Sequence, residues 1–226
     1  MDFLLHYSER RSIAIKIAGA EVHVYAPAAY GRTAAGQKAI ADFISSKRRW
    51  IDRKLSEYKE SADTMPGIKD FSAYYLDGKR IESIYDDSKS ISYRNGRMHI
   101  PAALKDNRAA LTTALKKFYT KTAKKRLAEK LDSVSARLAL PYSGSRITNA
   151  KSKWGSCTAD KKISLGWRLI ILPEACQYYV IIHELCHTVQ LNHSEKFWTL
   201  VGKNCADYKK LRKQLKSYAF LMEYLR

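Results

Sequence analysis

Pro173-Glu174-Ala175-Cys176-Gln177-Tyr178-Tyr179-Val180-Ile181-Ile182-His183-Glu184-Leu185-Cys186-His187-Thr188-Val189 is the stretch on which the fold turns. Proline followed by glutamate suits the first turn of a helix, where the missing N–H has no intrahelical partner to lose. From Tyr178 to Val189 the residues are apolar nearly all round, which marks a helix buried within a domain. Two histidines and a glutamate interrupt that surface. Left unpaired, such buried polar side chains cost about 1–3 kcal/mol each, a cost that a bound metal ion removes. His183 and His187 stand four apart, one above the other on a helix, so both imidazoles reach one ion in an HExxH arrangement. Glu184 lies about 100° around the helix from His183 and can meet a water at the ion without ligating it. That is the position of a general base.

A catalytic zinc ordinarily takes three protein ligands, so a third donor is required. His193 is the leading candidate, six residues beyond His187 and just after Leu191-Asn192, where asparagine tolerates the left-handed turn that would bring the chain back. Glu195 is the runner-up, and plain helix capping by the 192–195 turn is the alternative. Gln190 stands where the longer motif HExxHxxGxxH has glycine. Cys186 points away from the line joining the two helix histidines and reads as packing.

Working outward, Arg146 to Asn149, Ser152 to Cys157 and Ile163 to Leu172 read as strands, the second and third joined by a turn at Thr158 to Lys161. A small sheet therefore precedes the active helix. Ser194 and Glu195 suit the cap and first turn of a following helix, and Asp207 that of a last one with Tyr208, Leu211, Leu215 and Tyr218 as its stripe. Upstream, Leu111, Leu115, Tyr119, Ala123, Leu127, Leu131, Val134 and Leu138 predict one long helix or two collinear ones, with Pro101 suited to a first turn. Lys116, Lys117, Lys121, Lys124, Lys125, Arg126 and Lys130 occupy its other face, read as solvated. Asp77-Gly78 and Asn95-Gly96 predict hairpin turns in a meander of three or four strands between Phe71 and Ile100. Ile13, Ile15 and Ile17, a turn at Ala18 to Ala20, then Val22 and Val24, predict an N-terminal hairpin ending at Pro27. A single helix over about 34–58 packs on it, and Ser61 to Asp70 reads as a linker. The fold class expected is α+β. A β-rich N-terminal lobe with one helix, residues 1–100, precedes a catalytic domain with a small mixed sheet and an active-site helix, residues 101–226.

Composition is that of an ordinary globular chain, except that 41 lysines and arginines against 22 aspartates and glutamates leave a formal net charge of +19. Such a surplus attracts anionic partners, nucleic acid or nucleotides among them, or belongs to a lysine-rich solvated surface. The opening MDFLLHYSERRS is too short in apolar residues for a signal segment, and no run approaches a membrane span. A cytoplasmic protein without membrane contact is expected. There Cys157, Cys176, Cys186 and Cys205 read as reduced thiols without bridges.

Trp154-Gly155-Ser156-Cys157, the HELCH pentapeptide, Asn192-His193-Ser194 and Phe197-Trp198 together resemble the bacterial YgjP-like metallopeptidase-domain family, related to SprT-like zincins. The Arg11-Ser12-Ile13 hairpin and the Lys47 to Ile51 segment resemble that family's first lobe. The resemblance implies a zincin-like catalytic domain, zinc on His183, His187 and His193, and a catalytic Glu184; another divalent transition metal would suit the same donors. In zincin-like folds a strand ahead of the active helix edges the cleft, which casts Lys153 to Cys157 as a surface that pairs with extended peptide. Trp154, Gly155, Ser156 and Cys157 are then candidate substrate-binding residues, together with Arg168, and Trp154 is equally suited to core packing.

Three functions are compatible with these residues. A zinc metalloprotease acting on peptide stands first. A metal-dependent pyrophosphatase acting on nucleoside triphosphates of the UTP type is the alternative, motivated by the net charge and by Arg146, Lys151, Lys153 and Arg168 close to the motif in sequence. A nucleic-acid-binding module with structural zinc ranks last, because no fourth protein ligand is evident. Arg168, Tyr208 and Asn192 are candidates for stabilising a developing oxyanion.

Overall fold

The computed structural model describes residues 2–18 and 20–225 and divides into two compact units, Met1–Thr64 and Met65–Arg226. In the first, β2 (Ala14–Ala18) and β3 (Glu21–Pro27) form the expected antiparallel hairpin, with Ile15 opposite Val24. The turn predicted across Ala18 to Ala20 includes Gly19, which lies outside the described residues. A further strand, β1 (Leu4–Ser8), pairs parallel with the other side of β3, Leu4 opposite His23, giving the order β1-β3-β2. It escaped the sequence reading because most of its residues are exposed and carry no period-two pattern.

The single helix predicted over 34–58 is two, α1 (Ala34–Ser46) and α2 (Arg48–Ala62). Thr33 caps α1 by accepting a bond from the Gly36 N–H at 3.0 Å. The break falls at Lys47, where ψ is 2°, after two serines. Ser46 Oγ donates to the Phe43 carbonyl at 2.7 Å and competes for an acceptor at the end of α1. Val22, Val24 and Ala26 of β3, Ile40 of α1 and Ile51 of α2 form the core of this unit.

The second unit begins inside the predicted linker, since Met65 and Ile68 are already buried. It also takes in the segment assigned by sequence to the N-terminal lobe, so the division falls at 64/65 and not at 100. The four strands β4 (Tyr74–Leu76), β5 (Lys79–Asp86), β6 (Ser92–Arg94) and β7 (Arg97–Pro101) are ordered β4-β5-β7-β6. Asp77-Gly78 and Asn95-Gly96 make the two tight turns, with positive φ at all four residues. The arrangement is no simple meander, because β5 runs parallel to β7. The sheet is tied to the rest of the unit at its first turn. Asp77 N–H donates to Ile170 O at 2.9 Å and Gly78 N–H to Ile171 O at 2.8 Å, while the Asp77 carboxylate pairs with Arg126 and accepts from Gln177 at 2.9 Å. Tyr74, Tyr75 and Leu76 are all buried, so this sheet owes its burial to the elements beyond residue 100.

Pro101 closes β7, where a strand end tolerates the missing N–H, and the long helix α3 (Arg108–Leu138) starts later under an Asn107 cap. α3 is one uninterrupted helix whose predicted stripe from Leu111 to Val134 is buried. Its opposite face is not wholly solvated: Lys130 Nζ donates to Glu174 at 2.9 Å and to Gln177 at 2.7 Å, clamping α3 to the helix that carries the HExxH motif. β8 (Gly144–Thr148), β9 (Gly155–Cys157) and β10 (Lys162–Gly166) form a mixed sheet in the order β8-β10-β9, β10 parallel to β8 and antiparallel to β9. The predicted third strand stops at Gly166, and Trp167–Ile171 coil into a buried 3-10 turn. Then follow α4 (Glu174–Cys186), α5 (Glu195–Asn204) and α6 (Tyr208–Ser217). The architecture is mixed α+β. The four cysteines are free thiols, and no helix among the described residues is long and apolar enough to cross a membrane.

Candidate metal centre

α4 is buried along most of its length, and its last turn delivers His183, Glu184 and His187. The helix then tightens: Val189 N–H bonds back to Cys186 O at 3.1 Å, and Gln190 N–H to the same carbonyl at 2.9 Å. None of residues 187–193 has positive φ. The left-handed turn expected at Asn192 is therefore not used; instead its Oδ1 accepts the Ser194 N–H at 3.2 Å, a side-chain turn that swings His193 back over α4. The same geometry accounts for Gln190, because a helix end without a left-handed residue has no need of glycine.

His183, His187 and His193 converge, each with a nitrogen within 4.8 Å of the others. The ring centroids are 4.9, 5.0 and 4.7 Å apart. His183 Nε2 and His193 Nε2 are 3.1 Å apart, close to the roughly 3.3 Å that two nitrogens on one tetrahedral zinc would keep. His187 Nδ1 donates to the Gln190 carbonyl at 2.9 Å, which leaves its Nε2 as a lone pair. Burial, reinforced by His187, His193 and Arg212, pushes His183 down to about 3, and burial also lowers His187. Neutral imidazoles aimed at one point are the donor set of a divalent transition-metal site. Glu195 lies outside this triad, and Cys186 is buried away from it.

Packing holds the triad where hydrogen bonds do not. His183 Nδ1 is buried without a hydrogen-bond partner, and its ring is set by Phe197 at 4.9 Å and Trp198 at 5.8 Å. Trp198 stacks on exposed His193 at 5.6 Å and on Tyr208 at 5.6 Å, and the Arg212 guanidinium lies 4.6 Å from its ring centre. In the sequence Phe197 and Trp198 were legible as part of the family resemblance, which says nothing of their packing on the imidazoles. Arg212 carried no signal at all, because the contact joins α5 to α6 across an intervening turn.

Glu184 is 5% exposed, and burial pushes its carboxyl up to about 8, against a smaller opposing pull from Lys153. β9 runs beside it. A Cβ on Gly155 would stand 2.7 Å from both Glu184 Cγ and Oε1, so this backbone approaches the carboxylate as only glycine allows. Ser156 pairs with Ser164 in register on β10, and β9 is an edge of its sheet. The Cys157 thiol is raised by burial and next by the charge of Glu184, which brings that residue close to the carboxylate as well. Trp154, half-buried, contributes its carbonyl, which accepts the Gly166 N–H at 2.7 Å and fixes the entry to β9.

Arg168, expected among the substrate-binding residues, is elsewhere. It is 1% exposed, donating from Nε to Tyr224 O at 2.9 Å and from Nη1 to Asn149 Oδ1 at 2.9 Å. Its guanidinium ties the chain end to the loop before β9, and a substrate has no access to it. Of the other oxyanion candidates, Tyr208 stacks on Trp198 and Asn192 Oδ1 is engaged by Ser194.

The profile of the family described as YgjP-like, metallopeptidase domain, matches residues 11–218, nearly the whole chain. The chain belongs to the YgjP-like family. The match spans both compact units of this YgjP-like chain, the HExxH helix included. No curated protein is significantly similar in sequence. Among solved structures, the metallopeptidase zymogen of Pyrococcus abyssi abylysin is similar at 23% identity, with 39% of this YgjP-like chain covering 90% of that one and a TM-score of 0.36. That likeness is too partial to equate the two folds.

Proposed function

We infer that this chain is a zinc-dependent peptidase in which His183, His187 and His193 hold the metal and Glu184 is the general base. The observation that carries the reading is the convergence of three imidazoles beside a buried carboxyl group that lies against an edge strand. When bound, zinc supplies a Lewis acid that activates water and polarises a carbonyl. The remaining work belongs to the protein. Glu184 accepts a proton from the attacking water and delivers it to the leaving amine, a role suited to a carboxyl whose burial has already made the protonated form accessible near neutrality. The main chain of β9 offers an extended polypeptide its unpaired edge, and Gly155 permits close approach. Ser156 and Cys157 line that edge, and Trp154 anchors it.

A second reading, hydrolysis of nucleoside triphosphates, is favoured by the cations that act on the site, Lys153 on Glu184 and Arg212 on His183. One experiment separates the two. The zinc-loaded protein and E184Q are supplied with unfolded polypeptide and, separately, with nucleoside triphosphates. Cleavage of polypeptide lost in E184Q supports the peptidase; release of pyrophosphate without peptide cleavage overturns it. Zinc stoichiometry in H193A tests the ligand set, and an unchanged value would move the third ligand elsewhere.

A further inference from the structure

The first unit carries a groove of about 500 Å³ that belongs to a different part of the chain from the metal triad. Ile15 of β2 and Phe43 of α1, both half-buried, make an apolar floor, and Lys47, Arg49, Trp50 and Arg53 from the α1–α2 junction make the walls. Trp50 is 37% exposed, whereas Trp167 of the second unit is 1% exposed. An indole left that open at the mouth of an apolar groove is a free stacking surface.

The charged residues that line it are all cations. Lys47, Arg53 and Lys54 stand at i−3, i+3 and i+4 from Trp50, the spacings that share a helix face. Between Lys47 and Lys54 there are five cations and one carboxylate, a local net charge of +4. The acids nearby reach only part of this set: Arg48 pairs with Asp52 at 3.3 Å, and Glu57 serves both Arg53 at 3.7 Å and Lys54 at 2.5 Å. These are exposed i,i+3 and i,i+4 pairs, which a stronger anion displaces at little cost. Lys47 and Arg49 have no carboxylate partner among the described residues.

We propose that this groove binds single-stranded nucleic acid, with one base stacked on Trp50 over the Ile15–Phe43 floor and the adjoining phosphates held by Lys47, Arg49 and Arg53. A nucleotide unit presents a planar apolar face and an anion together, which is the combination the groove offers. An acidic peptide would satisfy the cations and leave the indole and the floor in water. A duplex keeps its bases stacked inside and offers the indole nothing.

The second unit is itself strongly basic, so the test must distinguish this groove from general electrostatic attraction. Anisotropy of a labelled fifteen-residue oligothymidylate is measured with the full chain over a salt series, alongside W50A, W50F and the triple variant K47Q/R49Q/R53Q. W50A, which removes no charge, should weaken binding by at least about fivefold and leave the salt slope unchanged, while W50F retains most of the affinity. The triple variant should lower the slope of log K against log salt by about 2, at roughly 0.7 for each phosphate no longer neutralised. Equal affinity in W50A and the parent overturns the proposal, as does tighter binding of a duplex or of polyglutamate than of the single strand. Should W50A melt the first unit, the triple variant decides alone: an unchanged slope refutes the site.

Discussion

Replacing Gly155 with alanine probes the proposed catalytic geometry through a single methyl group. Its Cβ would stand 2.7 Å from Glu184 Cγ and Oε1 and 2.9 Å from Cδ. Ordinary carbon–carbon contact is about 3.5–4.0 Å, so roughly 1 Å of displacement is needed. Gly155 does not have positive φ, so alanine introduces no backbone strain and the clash is the whole perturbation. A carboxylate tip could swing away cheaply, but here Cγ itself is struck, and the side chain is 5% exposed with little space to turn into. Overpacking of this kind costs about 1–3 kcal/mol of stability, and a 1 Å misplacement of a catalytic group costs on the order of 100-fold in rate. G155A is therefore expected to lose about 100-fold in kcat on unfolded polypeptide while keeping one zinc per chain, since the three atoms nearest that Cβ all belong to Glu184 and none to an imidazole. The assay pairs initial rates with metal analysis and a thermal melt on the same preparation. Full activity in G155A would refute the placement of Glu184 against β9, and loss of zinc with activity would show that the strand supports the ligands and not the base.

Three further outcomes follow from the same contacts. In the chelated protein Glu184 holds its proton up to about 8 when folded but only to about 4.5 when unfolded, so stability falls as pH rises through that window. His183 and His187, lowered by burial, act in the opposite sense, a gain still rising at half its full slope at 6.5 and finished within about one pH unit above it; melting temperatures on the approach to pH 8 should thus decline in the chelated parent and not in E184Q, and equal slopes would contradict the buried carboxyl. W198A removes the stack that orients exposed His193 and should weaken zinc binding by about 10- to 100-fold in a chelator competition, with W198F close to the parent; unchanged affinity would dismiss the stack as a positioning device. R168M strips a buried guanidinium from the Tyr224 and Asn149 oxygens and should cost roughly 2–4 kcal/mol in a denaturant titration at unchanged KM, whereas a raised KM at full stability would restore Arg168 to substrate binding.

What could be read without coordinates was local. The HExxH helix announces itself through an apolar run broken at i and i+4, the α3 stripe through its period, and both hairpin turns through Asp-Gly and Asn-Gly pairs whose positive φ values the structure contains. Each depends on residues within a few positions of one another. His193 was legible as a donor at a suitable spacing, but the Asn192 side-chain turn that returns it to α4 was not, because asparagine supports either kind of turn.

Tertiary structure decided whatever depends on distant partners. β1 joins β3 and β5 joins β7 in parallel, pairings that no turn signal encodes. The boundary between units moved to Thr64/Met65 because the β4–β7 sheet is tied through Asp77 to residues more than ninety positions away. Arg168, cationic and near the motif in sequence, was turned inward by the chain end that needed its hydrogen bonds. Gly155 acquired its meaning only when α4 brought Glu184 against it. By itself the sequence specified which atoms can bind a metal and move a proton, since those follow from residue type and helical spacing. Which backbone lies close enough to restrict them is a matter of packing, and packing is decided only when the chain has closed on itself.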